Sequence, residues 1–319
     1  MTSIAATPVT DTATDAASID LTAVVVAVTG EEPRILTVAH GAALPSGPFE
    51  TGHRSLQLGL RSWVERQTHH PLGYIEQLYT FADRDRLRDG GGGRVISISY
   101  LGLTREAPAS GERVPVWQSW YRYFPWEDWR AGAPALIGRA ILPLLRAWTS
   151  DAGDAATRRH RTQRVRAVFA ASEHGWNEEL VLQRYELLYE AGLVPEAARE
   201  QPAAAPPLLG EKMAHDHRRI LATGMARLRA KIKYRPVVFE LMPPSFTLLQ
   251  LQRAVEALAG RRLHKQNFRR LIDQQGLVEE TGAVSTETGG RPAKLVRFRR
   301  AVLLERALAG TKLPLSRPV

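Results

Sequence analysis

Cysteine is absent from all 319 residues, and that one absence excludes disulfides, thiol nucleophiles and cysteine-based zinc sites together. A cytoplasmic location fits such a chain. No apolar run reaches the roughly 18 residues that a bilayer-spanning helix needs, so no membrane association is expected. The first twenty residues, rich in Ala, Thr, Ser and Asp, lack the positive start and apolar centre of a secretory signal and read as a disordered tail, 1–20. Gly90 to Gly93 are four consecutive glycines without the Lys-Ser/Thr ending of a phosphate loop, which leaves a flexible hairpin tip. Internal repeats are also missing.

What the chain does have is lopsided charge. Residues 211–319 hold 22 Lys and Arg against nine Asp and Glu, a net +13 in a chain whose total is +10, so the first 210 residues carry −3. A basic domain on a mildly acidic body points to a nucleic-acid reader attached to a part with another task.

The basic segment has internal order. Ser245 is placed to cap a helix over 247–258, where Leu248, Leu251, Val255 and Leu258 recur on one face. Gly260 stops it in a position suited to a left-handed C-cap. A second helix is expected over 263–275, with Phe268, Leu271 and Ile272 inward. Gln266, Arg269, Arg270 and Asp273 then project outward, with Lys265 at the start and Asn267 on the flank. Short β-like runs at 277–280 and 294–299 enclose a Gly-rich tip that includes Arg291. Helix, turn, helix and basic hairpin in this order predict a winged helix-turn-helix. Its second helix can present Gln, Asn and Arg to base edges in the major groove, while Arg291 and Lys294 reach phosphates.

The N-terminal body mixes strand and helix text. Residues 21–28 are an almost unbroken β-branched and apolar run, 35–38 can pair with it, and 73–81 and 94–103 are further strands, with a helix over 55–67. From 134 the text turns helical, over 136–148, 155–171 and 176–191. An Ala/Pro linker follows at 201–207, then a helix over 214–233. Trp117, Trp120, Tyr121, Tyr123, Phe124, Trp126 and Trp129 are read as core or dimer interface before base-stacking surface. Five arginines at 158, 159, 161, 164 and 166 are read as a solvated helix face, and the His69-His70 pair as a surface turn rather than metal ligands.

Several motifs resemble a known family. Residues 73–81 with Asp83, Arg84 and Asp85, then 95–101, look like the sheet of Nudix-fold ADP-ribose pyrophosphatases. Asp216-His217, Lys233-Tyr234, Phe246-Thr247, Leu251, Asn267-Phe268-Arg269 and Gly290 to Lys294 resemble the Nudix-related transcriptional regulators of NAD metabolism, the NrtR type. The similarity covers roughly 21–125 and 210–303. The helical block 134–209 departs from that pattern and suggests a variant such as the NadQ-like branch.

The resemblance implies an α+β chain: a Nudix-like α/β/α sandwich sensing domain at 21–133, a helical extension and linker at 134–209, a winged helix-turn-helix with its connecting helix at 210–305, and a tail at 306–319. It further implies a repressor of NAD synthesis or salvage genes acting as a homodimer on a palindromic double-stranded operator. The effector would be a nucleotide such as ADP-ribose, NAD or ATP, with no cofactor required. Arg54, Arg61, Tyr79 and Tyr100 surround the expected nucleotide pocket. Asp216 and His217 would make interdomain hydrogen bonds, and the hinge would lie in 214–233 or the turn at 234–236.

Nudix hydrolases hold divalent metal on helix glutamates. Aligned on 45–47 and Thr68, the matching helix here carries Ser62, Trp63, Val64, Glu65, Arg66 and Gln67 instead; Glu65 falls on a non-ligand position. Trp63, Arg66 and Gln67 cannot supply a hard cation with oxygen ligands, so binding without hydrolysis is expected. The alternatives are an active ADP-ribose or dinucleotide pyrophosphatase and an RNA-binding adaptor.

Overall fold

The computed structural model describes residues 17–82, 95–106, 116–169, 175–199, 209–286 and 292–302. Its centre is a strand, β1 (Ser18–Thr29), which starts inside the segment read as a tail. The adjoining strands are β2 (Glu32–Thr37), β3 (Ser46–Pro48), β4 (Tyr74–Phe81), β5 (Val95–Leu103) and β6 (Val116–Ser119). They order as β4-β5-β1-β2-β6, with β3 pairing on β1. Only the β1–β5 pair is parallel.

The apolar run of β1 is explained by burial on both faces. Val24 and Val26 enter the larger core, while Leu21, Ala23, Val25 and Ala27 pack with Leu60 and Val64 of α1 (Leu56–Thr68). Ser55 caps α1 by accepting from the Leu58 amide at 3.2 Å. The opposite face is covered by α5 (His217–Tyr234), and Gly224 permits the approach: a Cβ there would lie 2.9 Å from a Val24 methyl. Sheet and two flanking helices form an α/β/α sandwich, and the chain as a whole is α+β.

The helical block consists of a π-turn (Ile137–Ile141) running into α2 (Leu142–Ser150), then α3 (Ala155–Phe169) and α4 (Val181–Glu190). The last helix begins five residues later than its periodicity suggests, because 177–180 form a turn whose carbonyls serve other partners. Trp120, Tyr123, Phe124 and Trp126 are fully buried, so the aromatic cluster is core. His70 is also buried, donating or accepting at 3.0 Å with the Thr104 hydroxyl and meeting Trp117 edge-on; the surface-turn expectation holds for its neighbour His69 alone.

The C-terminal domain comprises α6 (Leu248–Ala259), α7 (Lys265–Gln274) and the hairpin β7 (Val278–Ser285) and β8 (Ala293–Phe298). Phe246 bridges Val296 through two backbone hydrogen bonds of 2.9 and 2.8 Å, tying the entry to α6 onto the wing.

Candidate nucleic-acid interface

The cap of α6 is Thr247 and not Ser245. Its hydroxyl accepts from the Gln250 amide at 3.2 Å while the Gln250 side chain accepts from the Thr247 amide at 2.7 Å, a reciprocal capping box. The helix ends on Gly260 at φ 70°, the left-handed geometry expected of it. The turn into α7 is organised by Glu256, whose carboxylate accepts from Arg262, the Leu263 amide, Gln252 and Arg253. Burial works against its charge, but these donors outweigh it and hold the carboxyl at about 2.

On α7 only Phe268 is buried, and it anchors the helix to the domain core. Lys265, Gln266, Asn267, Arg269 and Arg270 are all exposed, and none of the three cations among them is paired with a carboxylate among the described residues. Leu271 departs from the inward stripe: it is 47% exposed, on the rim of an apolar hollow of about 260 Å³ that also involves Phe268, Ile272 and Tyr234. A row of exposed amides and guanidiniums on one rigid helix is what reading base edges requires.

In the wing, Lys294 is highly exposed and pairs with Glu280 at 2.8 Å, and Arg297 pairs with Glu279 at 2.6 Å. Both are surface pairs that a phosphate can displace at small cost. Arg299 donates to the Gly276 carbonyl at 2.8 Å and closes the end of α7, a structural role. Arg291 lies outside the described residues.

The reader is clamped to the rest of the chain. Tyr121 Oη donates to the Ala257 carbonyl at 2.6 Å, the Trp129 amide donates to the Gly260 carbonyl at 2.6 Å, and Arg229 Nε donates to the Leu258 carbonyl at 2.9 Å. Arg229 is fully buried and shares the buried carboxylate of Glu127 with Arg184 of α4. A second contact comes from the β1–β2 hairpin, where Glu31 lies 3.5 Å from Arg253 and 3.7 Å from Arg262. A cavity of about 420 Å³ lies along that seam, lined by Glu31, Leu241, Gln250 and Arg253 among others. These linkages were missed in the sequence. One signal was present for Arg218 and Arg229: both fall among the apolar positions Ile220, Leu221, Met225 and Leu228 of α5, where a solvated charge does not belong.

His217 Nδ1 accepts from the Leu44 amide at 3.0 Å, tying the start of α5 to the connection between β2 and β3. The four nucleotide candidates do not converge. Arg54 is exposed, and Arg61 donates to the carbonyls of Leu72 and Gly73, bracing the approach to β4. Tyr79 is 57% exposed and meets Phe81, which belongs to the α5-side core, whereas Tyr100 is 2% exposed in the α1-side cluster, where burial pushes its phenol up.

Side chains of α1 are engaged on the neighbouring strand. Trp63 Nε1 donates to the Pro48 carbonyl at 2.8 Å, and Gln67 both accepts from the Ser46 amide at 3.1 Å and donates to the Ser46 carbonyl at 2.8 Å. Arg66 lies over the Trp63 ring at 4.4 Å. Trp63 and Gln67 therefore staple α1 to β3.

The profile of the NrtR DNA-binding winged helix domain matches residues 238–298, a span that runs from before α6 to the end of β8. Residues 238–298 thus resemble an NrtR-type winged helix. The ADPR-responsive transcriptional repressor NtrR of Acinetobacter baylyi is 44% identical over 86 residues, which are 27% of this chain and 34% of that protein. The match thus spans about a third of that relative's length. NrtR of Shewanella oneidensis in complex with a 27mer DNA aligns over 89% of this chain and 94% of its own, at TM-score 0.50 and 21% identity. The same protein without DNA aligns over 89% and 95%, at TM-score 0.52 and 18% identity. At those identities the likeness is one of fold. Among the described residues no helix is long and apolar enough to cross a membrane.

Proposed function

We propose that this chain is a sequence-specific DNA-binding transcriptional repressor of NAD biosynthesis or salvage genes, and that its Nudix-like domain senses ADP-ribose without hydrolysing it. The observation that carries the proposal is α7, an anchored helix that exposes Lys265, Gln266, Asn267, Arg269 and Arg270 inside a segment matching the NrtR winged helix. ADP-ribose is preferred to NAD or ATP as effector because the Acinetobacter relative is ADPR-responsive. In this account Gln266, Asn267, Arg269 and Arg270 read bases, and Lys265, Arg291 and Lys294 hold phosphates. Arg54, Arg61, Tyr79 and Tyr100 remain the nucleotide candidates, of which Arg54 and Tyr79 are the exposed ones. The proposed divisions are 21–133 for sensing, 134–209 for the helical extension and 210–305 for DNA. A cytoplasmic homodimer on a palindrome follows from the usual two-fold match between such readers and their sites.

The non-enzymatic reading takes Trp63, Arg66 and Gln67 to stand where metal ligands would, and the engagement of Trp63 and Gln67 on the β3 backbone supports it. Binding by Asn267→Ala and Lys294→Ala, measured by fluorescence anisotropy on operator and scrambled duplexes across salt, tests the assignment. Asn267→Ala is expected to lose about 1–3 kcal/mol of discrimination, and Lys294→Ala to weaken both duplexes while shallowing the salt slope by about one. Equal losses on both duplexes for Asn267→Ala would remove it from base reading.

A further inference from the structure

The helical block neither reads bases nor senses nucleotide in the function proposed above, and within it α3 stands out. Its 15 residues contain Arg158, Arg159, Arg161, Arg164 and Arg166 and no carboxylate. The five are not equivalent. Arg161 stacks on Trp148 at 4.2 Å and donates to its carbonyl, and Arg164 pairs with Glu190 of α4. Those two, with Val165 and Val168, fasten the helix to α2 and α4. Arg158, Arg159 and Arg166 are exposed and form no salt bridge among the described residues, though Arg158 reaches the Ala152 carbonyl at 3.5 Å and lies near Asp154. At about 100° per residue the three fall within about 100° of arc, Arg159 and Arg166 at its outer end and Arg158 beside the fastening face that holds Val165. Asp154, by accepting from the Ala156 and Thr157 amides at 2.9 Å, fixes the start of the helix.

The helix is mounted on the reader at its other end. Phe169 lies 6.4 Å from Trp176, which lies 4.4 Å from Trp129, whose amide holds the Gly260 carbonyl where α6 turns toward α7. Arg184 ties the Val168 carbonyl to Glu127, which holds Arg229 and through it the Leu258 carbonyl. Glu178, a few residues beyond α3, lies 3.6 Å from Arg261 in the turn itself. The exposed arginines are therefore fixed relative to the helix-turn-helix, which lowers the ordering cost of using them together.

We propose that α3 is a second DNA-contacting element, a phosphate-binding ridge on which Arg158, Arg159 and Arg166 engage duplex backbone beyond the stretch read by the winged helix. This rests on the DNA-binding function proposed above. A row of exposed cations on a fixed helix fits a polyphosphate backbone and carries no base information, so it adds affinity and salt dependence and leaves sequence discrimination unchanged.

The test is anisotropy of the full-length protein and of a variant with Arg158→Gln, Arg159→Gln and Arg166→Gln, on a long operator duplex, a scrambled duplex and an operator trimmed to its core, from about 50 to 300 mM salt. The variant is expected to shallow the log–log salt slope on the long duplexes by about two to three, and to lose at least about tenfold in affinity at ~100 mM salt. The ratio of operator to scrambled affinity should hold, and the difference from wild type should vanish on the trimmed duplex. The corresponding triple Arg→Lys variant should keep the wild-type slope. Unchanged slopes for the Gln variant, with wild type binding its operator, overturn this proposal alone. A wild type that binds no duplex overturns the DNA-binding function as well.

Discussion

Replacing Glu127 by alanine is expected to cost the fold about 3–5 kcal/mol. Its two carboxylate oxygens accept from Arg184 Nε at 2.6 Å, Arg184 Nη2 at 3.0 Å and Arg229 Nη1 at 2.6 Å, and all three side chains are fully buried. Carbonyls complete the coordination: Val168 and Asn177 accept from Arg184, and Leu258 and Glu178 from Arg229. With the carboxylate removed, two guanidiniums remain out of water with dipoles for company, and their desolvation is no longer offset. The loss is a large share of the roughly 5–15 kcal/mol that holds an ordinary domain together. Urea unfolding of Glu127→Ala beside wild type reads it directly. A shift under about 1 kcal/mol would mean that the guanidiniums escape to solvent and that the junction between α4, α5 and α6 is not held by charge.

The second large effect is expected at Gly260. Its φ of 70° belongs to the left-handed region, where a side chain costs about 1–2 kcal/mol. A Cβ would also press into the Glu127 carbonyl oxygen and lie 2.9 Å from both Arg229 Nη2 and the Tyr121 hydroxyl. None of these can retreat, because each is part of the buried junction. Gly260→Ala should therefore lose about 2–4 kcal/mol and displace the turn that sets the height of α7, weakening DNA binding as well. Gly282, at φ 80° with nothing within 4 Å of where a Cβ would sit, is the control: alanine there should cost the backbone strain and little else. Equal losses at both positions would show that packing at Gly260 contributes nothing.

The features legible in the sequence were those with a local signature. The run of β1, the periodicity of α6 and the glycine after it, and the exposed edge of α7 each follow from neighbours within a turn or two, and the fold class followed from them. Two short strands, β3 and β6, escaped because three and four residues hold no alternation to detect. Ser245 and Thr247 both offer a capping oxygen, and only the Gln250 partner distinguishes them. Arg61 is expected around the nucleotide pocket, but its carbonyl partners lie 11 and 12 residues on; the partners of Glu127 lie 57 and 102 residues away, beyond any local signature. Charge in a sequence is easily counted. Whether it faces water or another charge is a property of packing, and this chain uses arginine for both: Arg184, Arg218 and Arg229 are core residues, and Arg158, Arg159 and Arg269 are surface residues.

In the proposed function, coupling between the sensing and reading parts needs an effector that binds the DNA-incompetent arrangement more tightly; a tenfold loss of operator affinity requires about 1.4 kcal/mol of differential binding. The rigid contacts between them, His217 to Leu44, Glu31 to Arg262 and Arg229 to Leu258, are the places where such a difference can be transmitted. The most direct measurement is fluorescence anisotropy of the full-length protein at ~150 mM salt on a duplex from upstream of NAD-synthesis genes, against a scrambled duplex, with ADP-ribose titrated into each. Specific binding that ADP-ribose weakens at least tenfold, with the ADP-ribose recovered intact, is the predicted result. Binding indifferent to sequence and to ADP-ribose, or release accompanied by AMP, would contradict the account.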